Sequence, residues 1–334
     1  MKKIKENKLS KIDLSIIIVN YRSWEVLAKC IESFNKHKPN TSYEIIVVDN
    51  DSKDGKFKKF QQQFNEINLI ANSGNFGFSS GCNLGADIAK GKYLLFLNPD
   101  VTLTKSNAID DMLSFAMANP SVGITSCRTL NSSGKIEREI AFLSPWLTIG
   151  WLRSLYKLIF ARKISKKFQE NKNVWYPEWV AGSVVLIQKE FFKEIGKWSE
   201  NIFWMYSEDP DICLKTTKNG KKIALLRNVE LEHIHGGSSR KNPKITAITK
   251  SEVVTSSHVF IQEHTKGINR FILHLVIIIN TLCSWLLRTL ITSPLFYKIL
   301  FKENLLTLVA IIKYYLRALI RCSWKSKRLK NNES

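Results

Sequence analysis

The stretch Asn98-Pro99-Asp100 places a carboxylate directly after an apolar run, residues 93–97. Five apolar or aromatic residues in succession predict a buried strand of a parallel sheet, which the proline would end. Ligands of open α/β sheets bind at the carboxyl ends of the strands, so Asp100 could hold a divalent metal and a diphosphate there. A capping aspartate in an ordinary turn would occupy the same position.

Three further carboxylates, Glu208, Asp209 and Asp211, lie within four residues, between aromatic side chains and a predicted helix. Acids crowded beside apolar side chains have raised pKa values, which suits a general base. The same acids would also complement the dipole at a helix N-terminus, where Pro210 fits the first turn. These residue types leave both interpretations open.

Two histidines, His233 and His235, follow a predicted strand and precede two glycines. Neutral imidazole is a common metal ligand, and glycines allow a phosphate to approach the backbone. Without a nearby cysteine the pair is not a self-contained zinc site. The two histidines could form a metal site only together with a further ligand such as Asp100. Alternatively, they make ordinary hydrogen bonds at the end of the strand.

Parallel βαβ units are predicted to position these groups, because strands at 14–19, 43–48, 67–71 and 93–97 alternate with helices. The first two strands end in Asn20-Tyr21 and Asp49-Asn50. A glycine-rich stretch, residues 72–85, enters a helix whose N-terminus would attract an anionic group, with a flexible loop as the alternative. Further strands are predicted at 123–127, 135–140 and 179–187.

The net charge of +21 at pH 7 indicates an anionic partner, usually nucleic acid or membrane. Residues 266–334 hold twelve Lys or Arg and two acidic residues among apolar side chains, which favours a membrane surface. The uncharged stretch 271–287 would span about 26 Å as a helix, short of the hydrocarbon core of roughly 30 Å. Helices lying in the membrane interface are therefore favoured over membrane-spanning helices, and a buried oligomer interface is a further alternative. The aromatic and basic segment 144–167 is also predicted to touch the membrane, with coverage of the core as the alternative.

The compartment follows from the cysteines and the N-terminus. Six cysteines without close pairing or metal-ligand spacing predict free thiols in a reducing compartment. The apolar run after the basic N-terminus is short and starts with Asp13, which is typical of a strand and not of a signal peptide. We therefore expect a cytoplasmic protein with a basic tail (1–12), a catalytic domain (13–265) and membrane-associating helices (266–334).

Five stretches occur in an order that resembles the family 2 glycosyltransferases of the GT-A fold, above all their bacterial rhamnosyltransferase and galactofuranosyltransferase branch. They are residues 47–52, 74–85, 97–100, 208–211 and 233–238, and the resemblance covers roughly residues 14–266. It implies a mixed, mainly parallel sheet flanked by helices. It also implies an inverting, metal-dependent transfer of a sugar from a nucleotide-sugar donor.

The resemblance also assigns roles to residues. Asp209, beside Glu208, matches the general base, and Asp100 with His233, or alternatively His235, matches the ligands of Mg²⁺ or Mn²⁺. Asn98 stands where the family has a second aspartate, which predicts weaker metal binding. The nucleotide and donor set is predicted to be Asn20, Tyr21, Asp49, Asn50, Gly77, Asn83, Asn98 and Arg240, and the acceptor or sugar pocket Trp179, Gly182 and Trp204.

The predicted reaction is transfer of L-rhamnose from dTDP-rhamnose to a lipid-linked saccharide at the cytoplasmic face of the bacterial inner membrane. A UDP-sugar donor such as UDP-galactofuranose is the alternative donor. A catalytically silent membrane scaffold is the alternative from another class, and a nucleic-acid binder is not favoured. The oligomeric state stays open.

Overall fold

A computed structural model describes residues 12–137, 139, 142–168, 173–234, 242–292 and 298–329. Its strands are β1 (Leu14–Asn20), β2 (Tyr43–Asp49), β3 (Asn68–Ala71), β4 (Tyr93–Leu97), β5 (Val101–Leu103), β6 (Val122–Leu130), β7 (Val174–Trp175), β8 (Val184–Gln188) and β9 (Lys222–His233). Its helices are α1 (Trp24–Lys36), α2 (Phe57–Gln63), α3 (Phe78–Ile88), α4 (Ala108–Ala118), α5 (Gly150–Phe168), α6 (Lys189–Glu194), α7 (Glu208–Lys218), α8 (Pro243–His264), α9 (Gly267–Ile291) and α10 (Lys298–Arg321).

The strands form one mixed sheet in the order β3-β2-β1-β4-β8-β6-β9-β5, with β7 beside β9. The predicted parallel half is confirmed, since β3, β2, β1 and β4 run parallel. Side chains of β1 alternate between two cores, with Ile16 and Ile18 on one face and Ile17 and Val19 on the other. Burial on both faces explains the unbroken apolar run, because each buried Ile stabilises the fold by about 1.5–3 kcal/mol.

Two antiparallel pairings bring distant residues to the edge of the sheet where β4 ends. β8 pairs with β4, with Val184 opposite Leu97, and the Asn98 N–H donates to the Ser183 carbonyl at 3.0 Å. β5 pairs with β9, with Val101 opposite His233. The segments around Asn98, Ser183 and His233 therefore lie side by side.

Two predicted strands differ in the structure. In the described part of 135–140 there is only an isolated bridge between Leu130 and Ile136, beside one backbone bond from the Glu137 N–H to the Thr129 carbonyl. The strand predicted from residue 179 starts at Val184, and Gly182 before it lies against Asp209 in the first turn of α7.

The helix predicted at 271–287 is longer than expected. α9 has 25 residues, or about 38 Å at about 1.5 Å per residue, and is long and apolar enough to cross a membrane by length and composition alone. The argument that this helix is too short to cross a membrane was therefore wrong. α9 and α10 pack on α8, which lies within the predicted catalytic domain.

The chain after α10 returns to the loop between α6 and α7. Trp324 packs near Phe203, and Lys325 Nζ donates to the Asn201 carbonyl at 3.2 Å. The guanidinium of Arg328 lies 5.1 Å from the ring centroid of Trp204. The C-terminal segment therefore supports the loop that leads into the carboxylate cluster.

Candidate active site

Asp100 and His233 form a buried acid–imidazole pair at this edge of the sheet. Asp100 Oδ1 lies 3.3 Å from His233 Nε2, and both side chains are almost inaccessible to solvent. The Ile234 N–H donates to the Asp100 carbonyl at 2.9 Å, which extends the pairing of β5 with β9. The two residues predicted as metal ligands are thus in contact.

The other ring nitrogen of His233 contacts Glu137, which no motif had indicated. His233 Nδ1 lies 3.1 Å from Glu137 Oε2, and that oxygen also accepts from Thr129 Oγ1 at 2.7 Å. Burial lowers the pKa of His233, but hydrogen bonds and charges of Asp100 and Glu137 outweigh burial and raise the pKa. The sequence shows only that Glu137 and Glu139 are two acidic residues at alternate positions. This spacing does not indicate that Glu137 contacts His233.

The pair Asp100 and His233 fits a divalent metal. Carboxylate oxygen and imidazole nitrogen are donors for Mg²⁺ and Mn²⁺, and a ligating histidine commonly bonds a carboxylate through its other nitrogen. Among the described residues no group of three or more His, Cys, Asp or Glu could hold a metal. Diphosphate oxygens and water would complete the coordination. The alternative ligand His235 lies outside the described residues, as does Arg240.

Glu208 and Asp209 start α7 after two residues with left-handed backbone, Tyr206 (φ 71°) and Ser207 (φ 65°). Such strain costs of order 1–3 kcal/mol per residue and is typical of functional sites. A Cβ on Gly182 would lie 2.2 Å from Asp209 Oδ1, so only glycine allows this approach. The predicted pocket residue Gly182 therefore lies directly against the predicted base.

Burial raises the pKa of both acids, and for Glu208 the neighbouring charge of Asp209 adds to it. Glu208 Oε2 is buried and has no hydrogen-bond partner among the described residues. Asp209 is partly exposed and receives a hydrogen bond from the Gly182 backbone. A partly exposed carboxylate with a raised pKa can accept a proton near neutral pH.

The third acid of the cluster has a different environment. Asp211 bonds Ser199 Oγ at 2.6 Å and His264 Nε2 at 2.9 Å, and lies 3.4 Å from Lys215 Nζ. Burial alone would raise its pKa, but these partners outweigh burial and lower the pKa. Asp211 is therefore a structural residue, whereas Glu208 and Asp209 retain the features of a catalytic pair.

The predicted nucleotide residues lie at the ends of β1 and β2. Asp49 accepts from Asn20 Nδ2 at 2.8 Å and from the Ser52 N–H at 3.0 Å, and it is buried. Tyr21 is 40% exposed beside the guanidinium of Arg22, 5.4 Å from the ring centroid, and is available to a base. Asp49 thus shapes this corner, and contact with a nucleotide stays a prediction.

The glycine-rich loop is fastened to the loop before α7. Gly77 has φ 95°, and a Cβ there would lie 1.8 Å from the Trp204 carbonyl oxygen, which accepts from the Phe78 N–H. Asn50 Nδ2 donates to the Gly77 carbonyl at 2.8 Å, and Trp204 Nε1 donates to the Asn75 carbonyl at 3.1 Å. The predicted donor and acceptor loops therefore touch.

Asn83 is buried and bonds the protein backbone, and its predicted contact with the donor stays a prediction. Its amide donates to the Trp198 carbonyl at 2.9 Å and accepts from the Trp198 N–H at 3.2 Å, which gives it a structural role. Asn98 has no side-chain hydrogen bond within the described part of the chain and is partly exposed, so it can face a ligand. Trp179 Nε1 donates to the Phe142 carbonyl at 3.0 Å, and its role in the pocket stays a prediction.

Residues 15–177 match the family model described as glycosyl transferase family 2. The chain is 29% identical over 225 residues to the low-salt glycan biosynthesis hexosyltransferase Agl10 of Haloferax volcanii, covering 66% of this chain and 67% of that protein. It is 27% identical over 223 residues to the rhamnosyltransferase WbbL of Escherichia coli, covering 62% of this chain and 78% of that protein.

A solved structure shares the fold. The mannosyltransferase PcManGT from Pyrobaculum calidifontis, in complex with GDP-Man and Mn²⁺, superposes with a TM-score of 0.52 at 16% identity. The match covers 90% of this chain and 86% of that one. At this identity the likeness concerns the fold, which is the GT-A arrangement that the motifs implied.

Proposed function

We propose that this glycosyltransferase, whose residues 15–177 match the family 2 model, is an inverting, metal-dependent enzyme of cell-surface glycan synthesis. One observation carries the proposal. Asp209 lies against Gly182, and the carbonyl of the adjacent Ser183 accepts from the N–H of Asn98, two residues before Asp100. A base and an acid–imidazole pair thus flank one strand end.

The proposed reaction is a single displacement at the anomeric carbon of the donor sugar. Asp209 accepts the proton of the acceptor hydroxyl while the hydroxyl oxygen bonds the anomeric carbon. The bond between the anomeric carbon and the diphosphate oxygen breaks in the same step. Attack from the face opposite the leaving group inverts the configuration. Asp100 and His233 would hold the divalent metal, which offsets the charge that develops on the diphosphate.

For the donor we propose dTDP-rhamnose. The support is similarity to a rhamnosyltransferase, and the sequence branch that the motifs resemble. A UDP-sugar such as UDP-galactofuranose remains the second candidate, because the motifs also resemble the galactofuranosyltransferase branch. Tyr21 at the end of β1 is the side chain with the exposure to stack on either base.

A donor screen with purified protein tests this proposal. With Mn²⁺ present, dTDP-rhamnose should be hydrolysed and transferred faster than UDP-galactofuranose, UDP-glucose or GDP-mannose, as measured by release of the nucleoside diphosphate. A preference for a UDP-sugar would replace the donor and keep the mechanism. No turnover with any donor and acceptor would favour the catalytically silent scaffold.

We further propose that the enzyme docks on an anionic membrane, where it would meet a lipid-linked acceptor. Exposed apolar side chains line one face of α9 at helical spacing, namely Ile268, Phe271, Ile272, Leu275 and Ile279. The opposite face, with Leu273 and Ile277, is buried in the protein. Exposed apolar residues also occur on α5 (Trp151, Leu155, Leu158) and on α10 (Ile312, Leu316, Leu319, Ile320).

The positive charge around this apolar surface supports an anionic lipid bilayer as its partner. Exposed lysine and arginine side chains accompany it on α10, namely Lys298, Lys302, Lys313 and Arg321. Each basic residue near an anionic bilayer contributes about 1 kcal/mol of attraction. A second copy of this chain would carry the same positive charge, so a bilayer is the better match.

The substitutions Phe271→Glu and Leu275→Glu, made together, should release the protein from vesicles of phosphatidylglycerol. Each replaces an exposed apolar contact by a charge that the lipid repels, so co-sedimentation should fall at least tenfold. Met117→Glu on α4 adds one such charge at an exposed position away from α9 and should leave binding unchanged. Unaltered binding of the double variant would contradict the docking face. Substitution is preferable to deletion of residues 266–334, because that segment supports the loop at Asn201 and Trp204.

A further inference from the structure

Glu137 lies in a chain of contacts that ends at the proposed metal position. Its Oε2 lies 3.1 Å from His233 Nδ1, and His233 Nε2 on the other side of the ring lies 3.3 Å from Asp100 Oδ1. Thr129 Oγ1 donates to the same Glu137 oxygen at 2.7 Å. Glu137 therefore contacts the imidazole on the side away from the carboxylate that shares the site.

The neighbouring Glu139 anchors this segment on the sheet. Glu139 Oε1 accepts from Arg128 Nε on β6 at 2.9 Å and from Arg227 Nε on β9 at 3.0 Å. The Glu137 N–H donates to the Thr129 carbonyl at 2.9 Å. Two arginines on different strands and one backbone bond thus determine where Glu137 reaches His233.

We propose that Glu137 is a positioning residue for the metal, which orients the His233 ring and holds its proton on Nδ1. This inference rests on the proposed metal-dependent function. With Nδ1–H donated to Glu137, the lone pair of Nε2 is directed to the Asp100 side of the ring. A carboxylate behind a ligating histidine also increases the basicity of the ligand, and loss of such a partner typically costs 10–100-fold in metal affinity.

This role separates Glu137 from the other acids of the region. Glu139 and Glu230 pair with Arg128, at 2.9 Å and 3.3 Å, and so serve the sheet. Glu232 lies next to His233 in β9, but successive side chains of a strand point to opposite faces. Glu232 is accordingly near Thr102, with its Oε2 3.5 Å from Thr102 Oγ1.

The test measures Mn²⁺ binding by the full-length protein with and without dTDP, using the electron paramagnetic resonance signal of free Mn²⁺. Glu137→Ala should weaken Mn²⁺ binding 10–100-fold, and Glu137→Gln less, because the amide oxygen still accepts from Nδ1–H. Nitrogen modulation of bound Mn²⁺ in pulsed resonance spectra should diminish in Glu137→Ala. Transfer at saturating Mn²⁺ should recover most of its rate, so the change lies in the Mn²⁺ requirement.

Glu232→Gln is the matched control, since it removes the same charge one residue from His233 without contacting the ring. It should bind Mn²⁺ like the unaltered protein. Equal Mn²⁺ affinity of the unaltered protein and of both Glu137 variants would overturn the role of Glu137 alone. Absence of Mn²⁺ binding by the unaltered protein, with and without dTDP, would overturn the metal assignment in the proposed function and this role with it. If Glu137→Ala fails to fold, the isosteric Glu137→Gln decides.

Discussion

Asp209→Asn is expected to lower transfer by 10²–10⁴-fold and to leave dTDP binding unchanged. The amide keeps the shape of the side chain against Gly182 but cannot accept the acceptor proton, and general-base catalysis contributes an effect of this size. Product formation measures the loss, and calorimetric titration with dTDP measures binding. Unchanged turnover would remove Asp209 as the base.

The pH dependence of kcat/KM should also reflect the ionisation of Asp209. Burial raises the pKa of Asp209 from 3.8 to about 6. Since the base must be ionised, kcat/KM should fall as the pH decreases through about 6. An acid limb near the ordinary aspartate pKa would contradict a base in this environment.

Asp211→Asn is the matched comparison two residues away. The pKa of Asp209 is higher in the native state than in the unfolded chain, so ionisation of Asp209 lowers the stability of the fold. At pH 8 the Asp209→Asn variant should therefore melt no lower than the unaltered protein. For Asp211 the native pKa is lowered, so its ionised form stabilises the fold above the unfolded pKa. Asp211→Asn should therefore lose about 1–3 kcal/mol of stability.

Asp100→Asn is expected to lower transfer by roughly 10²–10³-fold, since metal stabilisation of the leaving diphosphate is worth several kcal/mol. The variant is isosteric, and the backbone bond from Ile234 to Asp100 remains, so the melting temperature should change little. Weakened Mn²⁺ binding should accompany the loss, and a chelator should abolish the activity of the unaltered enzyme.

Asp111→Asn on the exposed surface of α4 removes the same charge away from the site and should leave both Mn²⁺ binding and transfer intact. Full activity of Asp100→Asn in excess chelator would contradict a metal at Asp100. Excess Mn²⁺ should restore part of the activity of Asp100→Asn, because His233 remains in place.

Local patterns were sufficient for the framework of the site. Apolar runs predicted β1, β2 and β4, and the rule that ligands bind at the carboxyl ends of strands indicated Asp100. The roles of Asn20 and Asp49, at the ends of β1 and β2, were implied by the family resemblance. The apolar runs are properties of contiguous residues, because a strand buried on both faces needs an uninterrupted apolar run. The order of the motifs added the carboxylate cluster and the strand-end histidines.

Local sequence patterns could not predict the roles of residues that depend on contacts with distant parts of the chain. Both polar atoms of Asn83 bond the backbone of Trp198, 115 residues away, which no local pattern indicated. Glu137 lies 96 residues from His233 in the chain, and no local pattern pairs them. The choice among the three carboxylates of α7 likewise depends on Gly182, Ser199 and His264, which come from other segments.

By itself the sequence determined the parallel half of the sheet and the residue types at each strand end, and the order of its motifs indicated a family 2 glycosyltransferase. Only the tertiary structure decided which of those side chains meet. Antiparallel insertion of β8 and β5 places Gly182 against Asp209 and Asp100 against His233. The reason is physical, since apolar periodicity is encoded by neighbours in the chain, whereas proton affinity and metal geometry are set by neighbours in space.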